Sequence, residues 1–306
     1  MKKFLVVCFM LFVVVATLAV GSAVALYMWA AKDLPDIQRI ADYKMPLVTT
    51  VYTSNGEILG YFYREKRFLV TLDDMPEHLP LAFLASEDSA FFEHEGVDIT
   101  AILRALIKNI SAGEIRQGGS TITQQIIKRL LLSSERKYER KLKEAILAYR
   151  LERYLTKEEI LTIYLNQIYL GARSYGVEAA ARAYFGKHVG ELTLAESAVL
   201  AGLPQAPSTY DPYRYPEAAK ARQEYVLGQM LELGWISQDE HDQALAEPLV
   251  YKAMADISWQ QGAYYLEEVR RWLVDYLSEE NMQAQGIELD RYGEDALYEL
   301  GLHVYT

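Results

Sequence analysis

The sequence predicts a mainly helical globular domain behind a short β region and an N-terminal membrane helix. Three features carry this reading: an uncharged apolar run at the N-terminus, an alternating stretch rich in Val, Tyr and Phe over residues 47–72, and helical periodicity with repeated capping signals after Pro80. The chain has 306 residues, 51% of them hydrophobic, which suits one anchor plus one or two domains with a sizeable core.

The run Phe4–Ala31 spans 28 positions without a charge and is flanked by Lys2 and Lys3 before and by Lys32 and Asp33 after. About 20 apolar residues are enough to cross a bilayer. The two lysines favour a cytoplasmic N-terminus, so residues 1–3 read as a cytoplasmic tail and the rest of the chain as exposed on the outer face. Ala23-Val24-Ala25 resembles a cleavage site, but a signal h-region is only ~7–15 residues long and this run continues to Trp29, so an uncleaved anchor is expected.

Residues 32–76 read as a linker, with Pro35 and Pro46, followed by a β-hairpin region in which Asn55-Gly56 marks a tight turn. Residues 77–245 read as the main helical domain. Ile99, Ile102, Leu103, Leu106, Ile107 and Ile110 follow i, i+3, i+4, i+7 spacing, with Gly113 as the stop. Thr156 to Glu159, Thr193 to Glu196 and Ser237 to Glu240 each have the form of a capping box. Gly202, Pro204 and Pro207 break the chain, and residues 217–233 and 262–280 carry further helical patterns. Gly301 to Thr306 reads as a strand.

A net charge of −11 argues against a nucleic-acid partner, since such proteins present basic surfaces to phosphates. The lone Cys8 lies in the apolar run, and the five histidines form no metal-binding pair at helical spacing.

With 42 acidic residues, composition cannot select a catalytic carboxylate, so context must. Glu87 lies between the apolar stretch ending at Ala85 and the pair Phe91-Phe92. Partial desolvation there would make it a stronger base; a surface acid at a helix end is equally open from this segment alone. Gly118-Gly119-Ser120 opens a helix with Ile122, Ile126 and Leu130 on its apolar side, either an anion site or an ordinary helix start. The cations Lys128, Arg129, Arg136, Lys137, Arg140 and Lys141 favour the anion site in so acidic a protein. Glu144 shares a helix face with Arg140 and Lys141. It can position a cation, a lysine or a phosphate-bound metal, or it can form a simple i, i+4 ion pair worth a few tenths of a kcal/mol.

These residues carry a resemblance. Glu87-Asp88-x-x-Phe91-x-x-His94-x-Gly96, Gly118 to Gln125, Arg140-Lys141-x-x-Glu144, Lys157-x-x-Ile160-Leu161-x-x-Tyr164-Leu165-Asn166, and the fifth region from Tyr175 through Ser208 resemble, in order, the five motifs of the class A (bifunctional) penicillin-binding proteins and their monofunctional relatives. The resemblance covers roughly residues 47–245, plus the anchor by position. Thr162 stands where relatives often carry Glu, so no support role for that acid carries over.

The resemblance implies a lysozyme-like peptidoglycan glycosyltransferase domain that polymerises lipid II into β-1,4 glycan strands with inversion and release of undecaprenyl pyrophosphate. It implies Glu87 as base, and Glu144 as the holder of cations or of a divalent metal, Mg²⁺ or Mn²⁺. Ser120, Gln125, Lys128, Arg136, Arg140 and Lys141 are implied at the substrate, with Asp88 and His94 supporting them. The implied partners are lipid II, the growing glycan strand and the membrane, with other cell-wall synthesis proteins as candidates, in a bacterial inner membrane with the catalytic domain on the periplasmic or outer face. Residues 246–306 are then expected to begin a connecting region toward a transpeptidase domain and to be loosely packed.

The main alternative is a lysozyme-like muramidase or lytic transglycosylase, which also uses a Glu in a helical cleft but has no use for a pyrophosphate site. A transpeptidase reading of Ser134-x-x-Lys137 fails, because the match lies in a charged stretch and the sequence holds no Lys-Thr-Gly or Ser-Asp-Asn.

Overall fold

The computed structural model describes residues 2–32, 34–41, 43–112, 119–131, 137–251 and 263–306. The fold class is the predicted one: helices dominate, with one small sheet and one long apolar helix at the N-terminus. The chain divides into two compact units, Met1–Tyr43 with Glu93–Thr156, and Lys44–Phe92 with Lys157–Thr306.

The first unit holds α1 (Lys2–Ala31), the short α2 (Gln38–Ala41), α4 (Ile99–Ala112), α5 (Ile122–Leu130) and α6 (Lys137–Leu151). Helix α1 is long and apolar enough to cross a membrane, and its side chains are not packed inside protein, which argues against a core helix. Within it the Thr17 hydroxyl donates back to the Val13 carbonyl at 2.8 Å, which satisfies a polar group inside an apolar run. Its last turn is docked: Ala30 is buried and Arg150 of α6 donates to the Tyr27 hydroxyl at 3.2 Å. Helix α4 has the expected periodicity, yet Ile99, Ile102 and Leu103 are exposed while Ala105 is buried. The side chains of Leu106, Ile107 and Ile110, and the stop at Gly113, lie outside the described residues.

Helix α5 begins one residue later than its glycines and serine imply. Its N-cap is Thr121, whose hydroxyl accepts the Gln124 N–H while the Gln124 side chain accepts the Thr121 N–H, a capping box built on Gln. The buried Ile122 and Ile126 face α6, whose own inward residues are Leu147, Ala148 and Leu151.

The second unit contains β1 (Thr49–Tyr52), β2 (Ile58–Phe62), α3 (His78–Glu87), α7 (Lys157–Gln167), α8 (Val177–Tyr184), α9 (Leu194–Gly202), α10 (Pro216–Glu232), α11 (Gln238–Ala246), α12 (Ala263–Tyr276), α13 (Glu279–Ala284), α14 (Gly293–Glu299) and β3 (His303–Tyr305). The β1–β2 turn closes at Asn55-Gly56: Gly56 donates to the Thr53 carbonyl at 2.9 Å with φ +84°, and Thr53 N–H pairs with the Glu57 carbonyl. Helix α3 starts two residues before Pro80, which sits in the first turn where a missing N–H costs nothing. The boxes at Thr193 and Ser237 form as read. Helix α9 is buried from Ala195 to Gly202, with α3 and α10 packed on it.

The expected loose packing beyond residue 246 is not met for residues 263–306. Strand β3 pairs in parallel with β1, giving the order β2-β1-β3. Leu266, Leu273 and Leu277 of the α12 region share one apolar face and close a core with Val51, Phe62, Met282, Ala296 and Leu297. Arg64 tightens it by ion pairs to Asp295 and Glu299, both at 2.6 Å. Residues 252–262 lie outside the described residues.

Candidate active site

Helix α3 delivers Glu87. The helix is pinned by Ser86, whose hydroxyl donates to the Ala201 carbonyl at the end of α9 at 2.9 Å, and by Phe83, edge-on to Tyr164. Glu87 is the last helical residue and is half-buried, as expected for a partly desolvated acid. Asp88 caps the helix: its N–H reaches the Leu84 carbonyl, and its own carbonyl accepts the Phe91 N–H at 3.0 Å. Phe91 is fully buried and lies under the ammonium of Lys157, 4.3 Å from the ring centroid. Such a contact holds a cation without neutralising it.

Glu87, Asp88 and Phe91 belong to the second unit, and His94 and Gly96 to the first. The Gly96 N–H donates to His94 Nδ1 at 3.1 Å, which leaves Nε2 to carry the proton in the neutral ring. Gly96 has φ +85°, and a Cβ there would stand 2.6 Å from the Ala148 carbonyl carbon, so only glycine lets the loop lie flush on α6. Thr121 donates to the Gly96 carbonyl at 2.7 Å, and Thr123 donates to the inward-turned Glu152, whose carboxylate is 4.0 Å from His94 Nδ1. His94 thus belongs to the scaffold that sets α5 against α6.

On the same α5–α6 interface sits the cationic cluster. Lys141 Nζ donates to Ser120 Oγ at 2.7 Å and to Glu144 Oε2 at 3.0 Å, and reaches Gln124 Oε1 at 3.5 Å. The Glu144 side chain is 3% exposed, and its other oxygen is 3.2 Å from Arg140 Nε. That contact is electrostatic, because the buried Nε–H makes no hydrogen bond among the described residues. The structure therefore unites the expected substrate residues Ser120, Arg140 and Lys141 with Glu144, expected as a catalytic residue. Lys128 is exposed on the last turn of α5, and Gln125 is half-buried one residue from the cluster. Arg136, like Gly118 and Ser134, lies outside the described residues.

The donor set at Glu144 does not fit a divalent metal. Both carboxylate oxygens face cations, and a dication there would meet Arg140 and Lys141 at close range. Among the described residues no group of three or more His, Cys, Asp or Glu converges to hold an ion.

Sequence reasoning missed Gln124, Glu152 and Lys157 as contributors. Gln124 was legible, since Thr121-x-x-Gln124 is a capping box by the rule that found the other three. Glu152 had no local signal.

The pattern of the transglycosylase family matches residues 55–231. Penicillin-binding protein 1A of Neisseria flavescens is 42% identical over 305 residues, covering all of this chain and 36% of that protein. Penicillin-binding protein 1A of Aquifex aeolicus is 44% identical over 275 residues, covering 90% of this chain and 35% of that protein. The chain thus spans about a third of the length of these relatives. The crystal structure of penicillin-binding protein 1A from Haemophilus influenzae matches 78% of this chain and 25% of its own, at 32% identity and a TM-score of 0.45.

Proposed function

The chain belongs to the transglycosylase family, and on that premise we propose that it is a peptidoglycan glycosyltransferase polymerising lipid II on the outer face of a bacterial inner membrane. Glu87 takes the proton from the 4-hydroxyl of the acceptor GlcNAc. That oxygen attacks C1 of the donor MurNAc, and undecaprenyl pyrophosphate leaves from the opposite face, so the new β-1,4 bond forms with inversion. The proton resides on Glu87 and the electron pair of the broken bond on the pyrophosphate.

One observation carries the reading: Lys141 held by Ser120, Gln124 and Glu144 beside Arg140, at the N-terminus of α5. A pyrophosphate leaving group needs its growing charge met by preorganised cations, and a helix start adds favourable N–H dipoles. A muramidase cleaves between neutral sugars and gains nothing from such a cluster. The Arg140 guanidinium, held against Glu144, adds a second cation to this cluster. Glu144 serves as the anionic post that holds Lys141 and Arg140 in place. Lipid II and the growing glycan strand are the molecular partners, α1 holds the domain at the bilayer, and other cell-wall synthesis proteins are candidates for association.

Polymerisation of purified lipid II, followed on gels, tests the proposal. Glu87→Gln should abolish glycan formation, a loss of ~10²–10⁴-fold or more, while leaving the fold and lipid II binding nearly intact. A variant keeping a tenth of the parent rate would remove Glu87 from the role of base.

A further inference from the structure

The end of α6 and the end of α1 meet, and their chemistry is that of a membrane–water boundary. From this we infer that Arg150, Arg153, Tyr149 and Tyr154, with Tyr27 of α1, form a surface that binds the headgroups of acidic phospholipids. The inference rests on α1 spanning the bilayer.

The level of this surface follows from helix geometry. The 28-residue run Phe4–Ala31 rises ~42 Å at ~1.5 Å per residue, against a hydrocarbon thickness of ~30 Å. Centred in the bilayer, it leaves about four residues beyond the hydrocarbon at each end. Tyr27 then lies at the boundary and Trp29 in the headgroup layer, the depth that Tyr and Trp prefer. Arg150 donates to the Tyr27 hydroxyl at 3.2 Å, so its guanidinium is fixed at the same depth.

The neighbouring residues continue the surface. Arg153 donates to the Tyr149 hydroxyl at 2.5 Å, with its guanidinium 5.4 Å from that ring's centroid. Tyr149 and Tyr154 are 42% and 56% exposed beside these cations. The acid in this turn, Glu152, points the other way, onto Thr123, so cations face out and the carboxylate faces in. In a chain of net charge −11, this end is basic and aromatic, which matches a layer of phosphate and glycerol. Arginines near an anionic surface bind it electrostatically and fork onto phosphate oxygens.

The test uses the full chain with Cys8→Ser, reconstituted in bilayers of phosphatidylcholine with phosphatidylglycerol. A nitroxide attached at Tyr154→Cys should show the oxygen and nickel-chelate accessibilities of the headgroup layer. Lipids retained through detergent purification from the mixture should be enriched in phosphatidylglycerol, and the pair Arg150→Gln with Arg153→Gln should reduce that enrichment by about fivefold per arginine. Lys141→Ala, which alters the cationic cluster elsewhere in this unit, should leave it unchanged. A fully aqueous nitroxide, enrichment untouched by the arginine pair, or enrichment lost in Lys141→Ala instead, would each overturn the inference. Failure of the chain to insert into bilayers at all would overturn the anchor reading beneath it, a separate and recognisable result.

Discussion

Replacing Glu144 by Gln isolates the electrostatic part of the cationic cluster, because the amide keeps the shape of the side chain and removes its charge. Lys141 has three oxygen partners, and Glu144 is the anionic one. At 3.0 Å and an effective dielectric constant near 20, the attraction is about 5 kcal/mol. The Lys141 side chain is 47% exposed, so solvent screening reduces this to about 1–2 kcal/mol. That equals a roughly 5–30-fold loss in how firmly the ammonium is held. Outright loss of one preorganised charge-stabilising donor costs ~10²–10³-fold in kcat; Glu144→Gln only loosens that donor, so a fall of about 5–30-fold is expected, with Tm lower by about 2–6 °C. The assay is steady-state polymerisation of fluorescent lipid II, alongside thermal unfolding. The Lys141→Ala and Glu144→Gln changes should be strongly non-additive, since they remove two ends of one interaction. Additive losses, or a lowered Tm with kcat within threefold of the parent, would show that Glu144 only supports the fold. Because both its oxygens already face cations, the defect should not respond to added Mg²⁺ or Mn²⁺; rescue by either ion would refute the positioning argument.

Gly96→Ala should lower Tm by several degrees and impair turnover, since the new Cβ meets the α6 backbone in a left-handed conformation worth about 1–2 kcal/mol of strain before any clash; unfolding by circular dichroism checks this. A form beginning near Lys32 should be more soluble and active on detergent-dispersed lipid II, though less stable than the full chain, because it loses the buried Ala30 and the Arg150 contact with Tyr27; equal Tm values would mean that this docking contributes nothing. Ser237→Ala should lower Tm by about 2–4 °C at neutral pH. The Ser237 backbone N–H and hydroxyl hold the Glu240 carboxyl below its ordinary value, so this contribution is present above the unfolded pKa and fades as pH falls through the folded one. The gap between parent and variant should therefore narrow in acid, and a gap constant with pH would contradict the capping geometry.

What was legible in the sequence was local. Capping boxes at Thr193 and Ser237 can be read because donor and acceptor are three residues apart. The turn at Gly56 and the apolar length of α1 are local for the same reason. Packing partners were not legible. Nothing near His303 announces a parallel pairing with Thr50, and that pairing is what turns residues 263–306 from an expected loose connection into one wall of a core. The exposure of Ile102 and Leu103 is likewise invisible in a periodicity that only says the residues share a face. Glu152 gave no signal because its role depends on the register of α5 against α6, set by contacts from Thr123 and toward His94.

The first motif shows why a short stretch can be diagnostic without being self-sufficient. Glu87 and Gly96 are nine positions apart, yet the groups that fix them come from distant parts of the chain and from different units. Ser86 anchors the Glu87 turn on the Ala201 carbonyl, while Gly96 lies flush on the backbone of Ala148. A helix end must present a half-buried acid, and the loop that follows must lie on the α6 backbone without a side chain at Gly96. Those two demands restrict residue type at fixed spacing, and the fixed spacing is what makes the motif readable. The same reasoning covers Ser120 and Gln124: their types follow from the helix start they form, and their significance appears only when Lys141, from the next helix, reaches both.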